Sequence, residues 1–185
     1  MKIFILLEPP FSTISLELED AADAKKYCYF SLSDVYMSEA GGESDIAKRL
    51  KEAKAEGQEL LPHFAYRLVL EKYLQKPPKN NPNGFILDPD CFSTAEELEI
   101  LLDVLEKSGQ KVDTVIDIQT SPEECADYIA DYQVDEGEGL QEIAEYFEVL
   151  YPEVQKILLR KGIKTEIFSA DDDPRATNKR FTELL

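Results

Sequence analysis

The sequence predicts an α/β fold, a mostly parallel sheet covered by helices on both faces. Three observations carry this. Five short apolar runs have strand character, at Lys2–Leu7, Tyr27–Phe30, Gly84–Asp88, Thr114–Ile118 and Lys164–Phe168. The stretches between them repeat with helical period, and strands alternating with helices build right-handed βαβ units. The chain is also large enough: 185 residues with 43% hydrophobic content suffice for one compact domain with a full core.

Taken in order, "KIFILL" is a buried strand, and Glu8-Pro9-Pro10-Phe11 forces a turn before a helical pattern that begins near Ser12. A strand, a tight turn and a helix N-terminus form the usual geometry for cradling a phosphate. This turn has no glycine and no lysine, and it opens on a carboxylate. "DIAKRLKEAKAEG" places Ile46, Leu50 and Ala53 on one side of a helix and ends at Gly57, suited to a C-cap. "HFAYRLVLEKYLQ" repeats the pattern with Phe64, Leu68 and Tyr73, and "KPPKNNPNG" reads as a surface loop. Thr94 with Glu97 predicts a capping box, and Ser121-Pro122-Glu123-Glu124 a second with proline at the first helical position. The long helical region from Leu140 to Gly162 is expected to break or kink near Pro152, and a last helix spans Pro174–Leu185.

Charge narrows the function classes. Lys and Arg number 20 against 38 Asp and Glu, a net charge of −18. DNA, RNA and anionic membranes are repelled by such a chain, because their affinity comes largely from basic contacts. From Val112 to Gln155 there is no lysine or arginine, so this window cannot supply a phosphate clamp; most of its acids read as a solvated face. No apolar run approaches the roughly 20 residues that span a bilayer. The apolar start is too short for a signal peptide. Cys28, Cys91 and Cys125 are few and widely spaced, which suits reduced thiols in a cytoplasmic protein better than a disulfide framework or a zinc site.

Six segments in order carry a family resemblance: "ILLEPPFSTISL", "FSLSDVYM", "AEGQELLPHF", "NGFILDPDCFST", "VDTVIDI" with "SPEECADYI", and "EYFEVLYPEVQKILLRKG". Their spacing resembles adenylate kinases, or more broadly nucleoside-monophosphate kinases of the P-loop fold, almost end to end. The most specific segment is the fourth, where the family reads N-G-F-[LI]-L-D-G-F-P-R-T. The resemblance implies a three-layer α/β/α domain over residues 1–185 with a five-stranded parallel sheet. It also implies a helical monophosphate-binding part at about 33–75.

The resemblance also says where the chemistry should sit. Phosphoryl transfer needs positive charge and amide donors around the transferred group. The family's first glycine falls on Glu8, its later glycines on Phe11 and Thr13, and its lysine on Ile14; Ser15 follows, and the magnesium-binding hydroxyl falls on Leu16. In the acceptor motifs Asp34 and Asp88 are kept, but the threonine becomes Leu32 and the two arginines become Met37 and Phe92. The lid arginines fall on Tyr128, Tyr132 and near Leu140, and "DYQVDEG" is too short for a lid. Such a degenerate Walker A loop implies no catalytic residue, no cofactor, and nucleotide binding that is weak or absent. The remaining arginines are expected away from the cleft.

Other motifs yield bland readings. "DPDCFSTAEELE" imitates a calcium loop but lacks its glycine, and Asp171-Asp172-Asp173 reads as a turn with an N-cap. His63 is the only histidine and has no nucleophile motif beside it, and no metal site is expected. The leading expectation is a pseudoenzyme of the adenylate kinase family, cytoplasmic, with protein partners and a structural role of the kind that such domains have in cytoskeletal or ciliary assemblies. The alternatives are a remnant that binds a nucleoside near Leu32, Asp34 and Asp88, or a kinase with an atypical site completed by a partner's cations.

Overall fold

The computed structural model describes residues 1–12, 18–40, 42–55, 63–129, 135–169 and 173–185. Five strands follow the apolar runs: β1 (Lys2–Leu7), β2 (Tyr27–Phe30), β3 (Gly84–Leu87), β4 (Thr114–Gln119) and β5 (Thr165–Ser169). They form one sheet in the order β2-β3-β1-β4-β5, and every pairing is parallel. The expected five-stranded sheet is present, with ends displaced by one residue at β3, β4 and β5.

Central β1 places Phe4 beside Ile86 of β3 and Thr114 of β4. Its side chains alternate between two cores, Ile3, Ile5 and Leu7 in one and Phe4 and Leu6 in the other. A strand buried on both faces must be apolar at every position, which is why "IFILL" carries no polar residue. The larger core is covered by α2 (Leu32–Ala40), α3 (Asp45–Ala55), α4 (His63–Tyr73), α5 (Ala95–Lys107) and α8 (Tyr151–Lys161). On the opposite face α1 (Leu18–Ala24) and α9 (Pro174–Leu184) bring Leu18, Ala22 and Phe181 against Phe4, Leu6 and Phe168. A small third cluster, Cys125, Ile129 and Ile143, joins α6 (Pro122–Asp127) to α7 (Glu136–Glu145).

Two local devices fix the sheet's start. Gly84 has φ +149° and runs so close to β1 that a Cβ would sit 1.8 Å from the Lys2 carbonyl oxygen, so only glycine fits. The polar loop before it is tied down, with the Asn81 side chain donating to the Tyr27 carbonyl (2.7 Å) and Lys2 N–H to the Asn83 carbonyl (2.9 Å).

Three expectations are corrected in detail. The break near Pro152 is a π-helical stretch, Tyr146–Leu150, that joins α7 to α8. Proline lacks the amide for an i−4 bond and crowds that carbonyl, so the preceding turn widens. The box at Thr94 is only half formed: Thr94 Oγ1 accepts from Glu97 N–H (3.1 Å), but the Glu97 carboxylate accepts from Ser93 N–H and Oγ, both at 2.8 Å. At Ser121 the box is complete, Glu124 Oε2 accepting from Ser121 N–H at 2.7 Å. In α4 Leu68 is exposed, because the buried stripe runs through Ala65, Tyr66, Val69 and Leu70. The first helix does not start at Ser12, whose N–H donates to the Pro9 carbonyl at 3.3 Å; residues 13–17, the Gly57 cap, Asp171 and Asp172 lie outside the described residues, as do the side chains of Leu50, Ala53 and Phe64. Asp173 caps α9, its side chain accepting from Arg175 N–H at 3.1 Å.

The three helices α2, α3 and α4 are locked by one acid. Glu39 accepts from Lys72 Nζ at 2.5 Å and from the hydroxyls of Tyr73 and Ser44, and it is 7% exposed. The hydrogen bond from Lys72 comes first among the causes that hold its carboxyl down to about 2, followed by those from Ser44 and Tyr73. A depressed folded value means stabilisation that is complete above the unfolded value and is lost as pH falls towards about 2. Glu39→Gln is expected to destabilise the fold by about 1–3 kcal/mol at pH 7. In urea unfolding, the gap between variant and wild type should close as the pH is lowered through that range.

Candidate functional site

The C-terminal ends of β1 and β3 open into a cavity of about 800 Å³, closed on its other side by α7, the π-helical stretch and the start of α8. A crevice beyond the carboxyl ends of parallel strands is where open α/β sheets bind ligands, and this volume is in the range of small-molecule sites. Its position follows from the chain's local rules. β1 must end where Pro9 and Pro10 remove two amide donors, and β3 must end where Asp88-Pro89 starts a 3-10 turn, Pro89–Cys91.

The walls have two characters. Leu7, Phe92, Tyr146, Val149 and Leu150 supply apolar surface. Glu8, Asp88, Asp90, Glu142, Glu145 and Glu153 supply acids. No lysine or arginine lines it among the described residues. Arg67 pairs with Asp103 (2.6 Å), Arg180 with Glu166 (3.2 Å) and Arg160 with Glu99, while Lys156 Nζ donates to Oε1 of Glu153, one of the cavity's acids, at 2.7 Å. Arg49 and Arg175 do not line the cavity either.

Asp90 explains how the acids coexist. Its Oδ1 accepts from Leu32 N–H (2.9 Å), and its Oδ2 accepts from Ser31 Oγ (2.7 Å) and Ser33 N–H (2.8 Å). The carboxylate therefore caps α2 from across the sheet, where amide donors and the helix dipole favour an anion. Burial pushes the Asp90 carboxyl up, but the bonds from Ser33, Ser31 and Leu32 outweigh it and hold the group below its usual value. Asp88, two residues earlier, accepts from Asp90 N–H at 2.8 Å and is hydrogen-bonded to the Tyr29 hydroxyl. Burial, with the Asp90 charge adding to it, lifts Asp88 to about 6. Tyr66 buttresses the same turn, donating to the Cys91 carbonyl at 2.6 Å.

The remaining predicted positions divide. Glu8, 8% exposed, lines the cavity at the end of β1. Phe11 holds φ 62°, a left-handed conformation natural to the glycine that the resemblance puts there, and its ring packs on the Cys125–Ile129–Ile143 cluster. Thr13, Ile14, Ser15 and Tyr132 lie outside the described residues. Phe92 is buried and forms part of the floor, whereas Leu32 sits in the core and Asp34 and Met37 are exposed on α2. Tyr128 and Leu140 are exposed and do not reach the cavity. Cys91 is a buried free thiol whose Sγ lies 3.3 Å from the Phe30 carbonyl, and burial raises it well above its usual value. Among the described residues no cluster of His, Cys, Asp and Glu could hold a metal.

Two residues escaped the sequence reading. Asp90 had a signal, the D-P-D spacing after a strand, but its partners are some 57–59 residues away. Asp117 interrupts the apolar run of β4 and is 1% exposed, held by Tyr151 Oη (2.9 Å), Gln155 Nε2 (3.2 Å) and Gln119 Nε2 (3.3 Å). Burial raises its carboxyl despite these three donors.

Two substitutions test this geometry. Phe11→Gly and Phe11→Ala lose the same ring, but only glycine relaxes the left-handed backbone, so the glycine variant should be the more stable by about 1 kcal/mol in urea unfolding. Asp90→Ala should cost about 1–3 kcal/mol, since it uncaps α2 and strands buried amides. Hydrogen exchange at Leu32 and Ser33 should rise with it.

No family model matches the chain. Similarity to individual proteins is nevertheless broad. It is 25% identical over 182 residues to an adenylate kinase of Caldicellulosiruptor bescii, covering 97% of this chain and 80% of that one. An adenylate kinase of Streptomyces coelicolor is 24% identical over 182 residues, covering 97% and 79%. One from Caldicellulosiruptor saccharolyticus is 24% identical over 158 residues, covering 84% and 68%. With the parallel sheet and its flanking helices, these similarities make the chain adenylate-kinase-like over most of its length.

Proposed function

We propose that this chain is a non-catalytic adenylate-kinase-like protein that works by binding protein. One observation carries the reading: the crevice that the fold offers to a nucleotide is lined by six acidic residues and by no lysine or arginine among the described residues. Relatives named adenylate kinases supply the comparison, since phosphoryl transfer needs cations and amide donors round the moving group. At about 5 Å and an effective dielectric of about 20, each ionised carboxylate would repel each phosphate charge by about 3 kcal/mol. A magnesium ion would lessen this repulsion, but a lysine and several arginines would still be missing. Such groups are worth about 10³–10⁵-fold each in related reactions, and their effects are far from additive.

The turn after β1 supports the same reading. Pro9 and Pro10 have no amide hydrogen, and Phe11 stands where the resemblance puts a glycine, with its ring packed on the Cys125–Ile129–Ile143 cluster. No helix among the described residues is long and apolar enough to cross a membrane. Charge disfavours nucleic acid and anionic lipid as macromolecular partners and leaves protein as the favoured class.

The test is a coupled assay for ADP formed from ATP and AMP with magnesium. No turnover above background is expected, and no thermal shift with millimolar adenosine, AMP or ATP. Turnover within about tenfold of ordinary enzyme rates would overturn the reading.

A further inference from the structure

The cavity's outer wall has a periodic pattern. Glu142, Glu145, Val149 and Glu153 recur every three to four residues along the run from α7 through the π-helical stretch into α8, and all four line the cavity. Val149 is 62% exposed there, an apolar side chain standing between acids. Behind it Tyr146 is 7% exposed and lines the same cavity, and its buried hydroxyl has no hydrogen-bond partner among the described residues. A buried hydroxyl without a partner costs stability and is relieved by any donor or acceptor that reaches it. On the facing wall stand Glu8 and Asp88, with Phe92 between the walls as floor.

We propose that this crevice is a docking site for a basic segment of a partner protein, one that carries arginine next to an apolar anchor residue. The inference rests on the non-catalytic reading above and names the partner's chemistry. Carboxylates on both walls with apolar surface between them complement a segment whose cations flank a hydrophobic side chain. Arginine suits it better than lysine, because its planar fork can engage a carboxylate with two bonds and still donate to a tyrosine oxygen. The apolar floor supplies affinity by burial, and the acids supply orientation and rate of encounter. Nothing anionic is compatible with the same walls.

Fluorescence anisotropy on the intact chain tests this, with labelled peptides of alternating arginine and leucine, arginine and serine, and glutamate and leucine. The arginine–leucine peptide should bind saturably, more tightly than the arginine–serine peptide, and more weakly as salt is raised. The exposed triple variant Glu142→Gln, Glu145→Gln, Glu153→Gln should weaken it by about tenfold or more. Val149→Ser should weaken it severalfold, and Glu52→Gln, Glu71→Gln, Glu183→Gln should leave it within about twofold. Circular dichroism and urea unfolding confirm that each variant is folded. Absence of saturable binding, equal losses from the two triple variants, or equal binding of the glutamate–leucine peptide would each overturn the proposal. ADP formation by the same preparation would overturn the non-catalytic reading instead, so the two failures are told apart.

Discussion

Amides and hydroxyls, more than cations, hold the inward-facing carboxylates of this chain, although Glu39 takes Lys72 as its first partner. With 38 acids and 20 bases, ion pairing cannot serve them all. Asp90 takes two amides and a hydroxyl at the start of α2, and Asp117 takes a tyrosine and two glutamines. Glu97 and Glu124 take donors of the residues just before their own helices. Donors fixed on rigid elements satisfy an anion without ordering a long basic side chain, which carries a larger entropy cost. The Asp90 arrangement matters most, because it joins the turn after β3 to the helix after β2 and so holds the crevice's inner wall.

Geometry and electrostatics then diverge in an informative way. Strand order, the switch-point crevice and the left-handed residue after the first turn are those of a fold able to receive a phosphate. The charges in that crevice have the opposite sign from what a phosphate needs. Fold constrains where a ligand goes, whereas side chains decide which ligand it is. The proposed preference for a cationic partner and the proposed loss of nucleotide binding rest on the same charge argument.

Particular residues show how far the sequence could be read. All five strands were legible, because a strand buried on both faces must be an unbroken apolar run bounded by turn residues. The Ser121 box was legible in full, since every partner lies within four residues. The Thr94 box was legible only in half, because Glu97 had an equally close donor one residue upstream in Ser93. In α4, Leu68 counted among the apolar positions of the helical pattern, yet the period through Tyr66 and Val69 turns it towards solvent. Of the positions that the resemblance assigns to the site, Glu8, Asp88 and Phe92 line the cavity, Leu32 lies in the core, and Asp34 and Met37 are exposed on α2.

What the sequence determined by itself were properties carried by neighbours along the chain: strands, caps, the proline-stiffened turn, and the absence of basic residues from a long window. Hydrogen bonds between residues a few positions apart, and hydrophobic period, are local and leave a local trace. Tertiary structure alone decided that Asp90 would cap a helix nearly sixty residues earlier, that Tyr151 and Gln155 would reach Asp117, and that Glu142, Val149 and Glu153 would face Glu8 across one cavity. Those pairings depend on the path of the parallel sheet, in which consecutive strands need not be neighbours, so no spacing along the chain announces them.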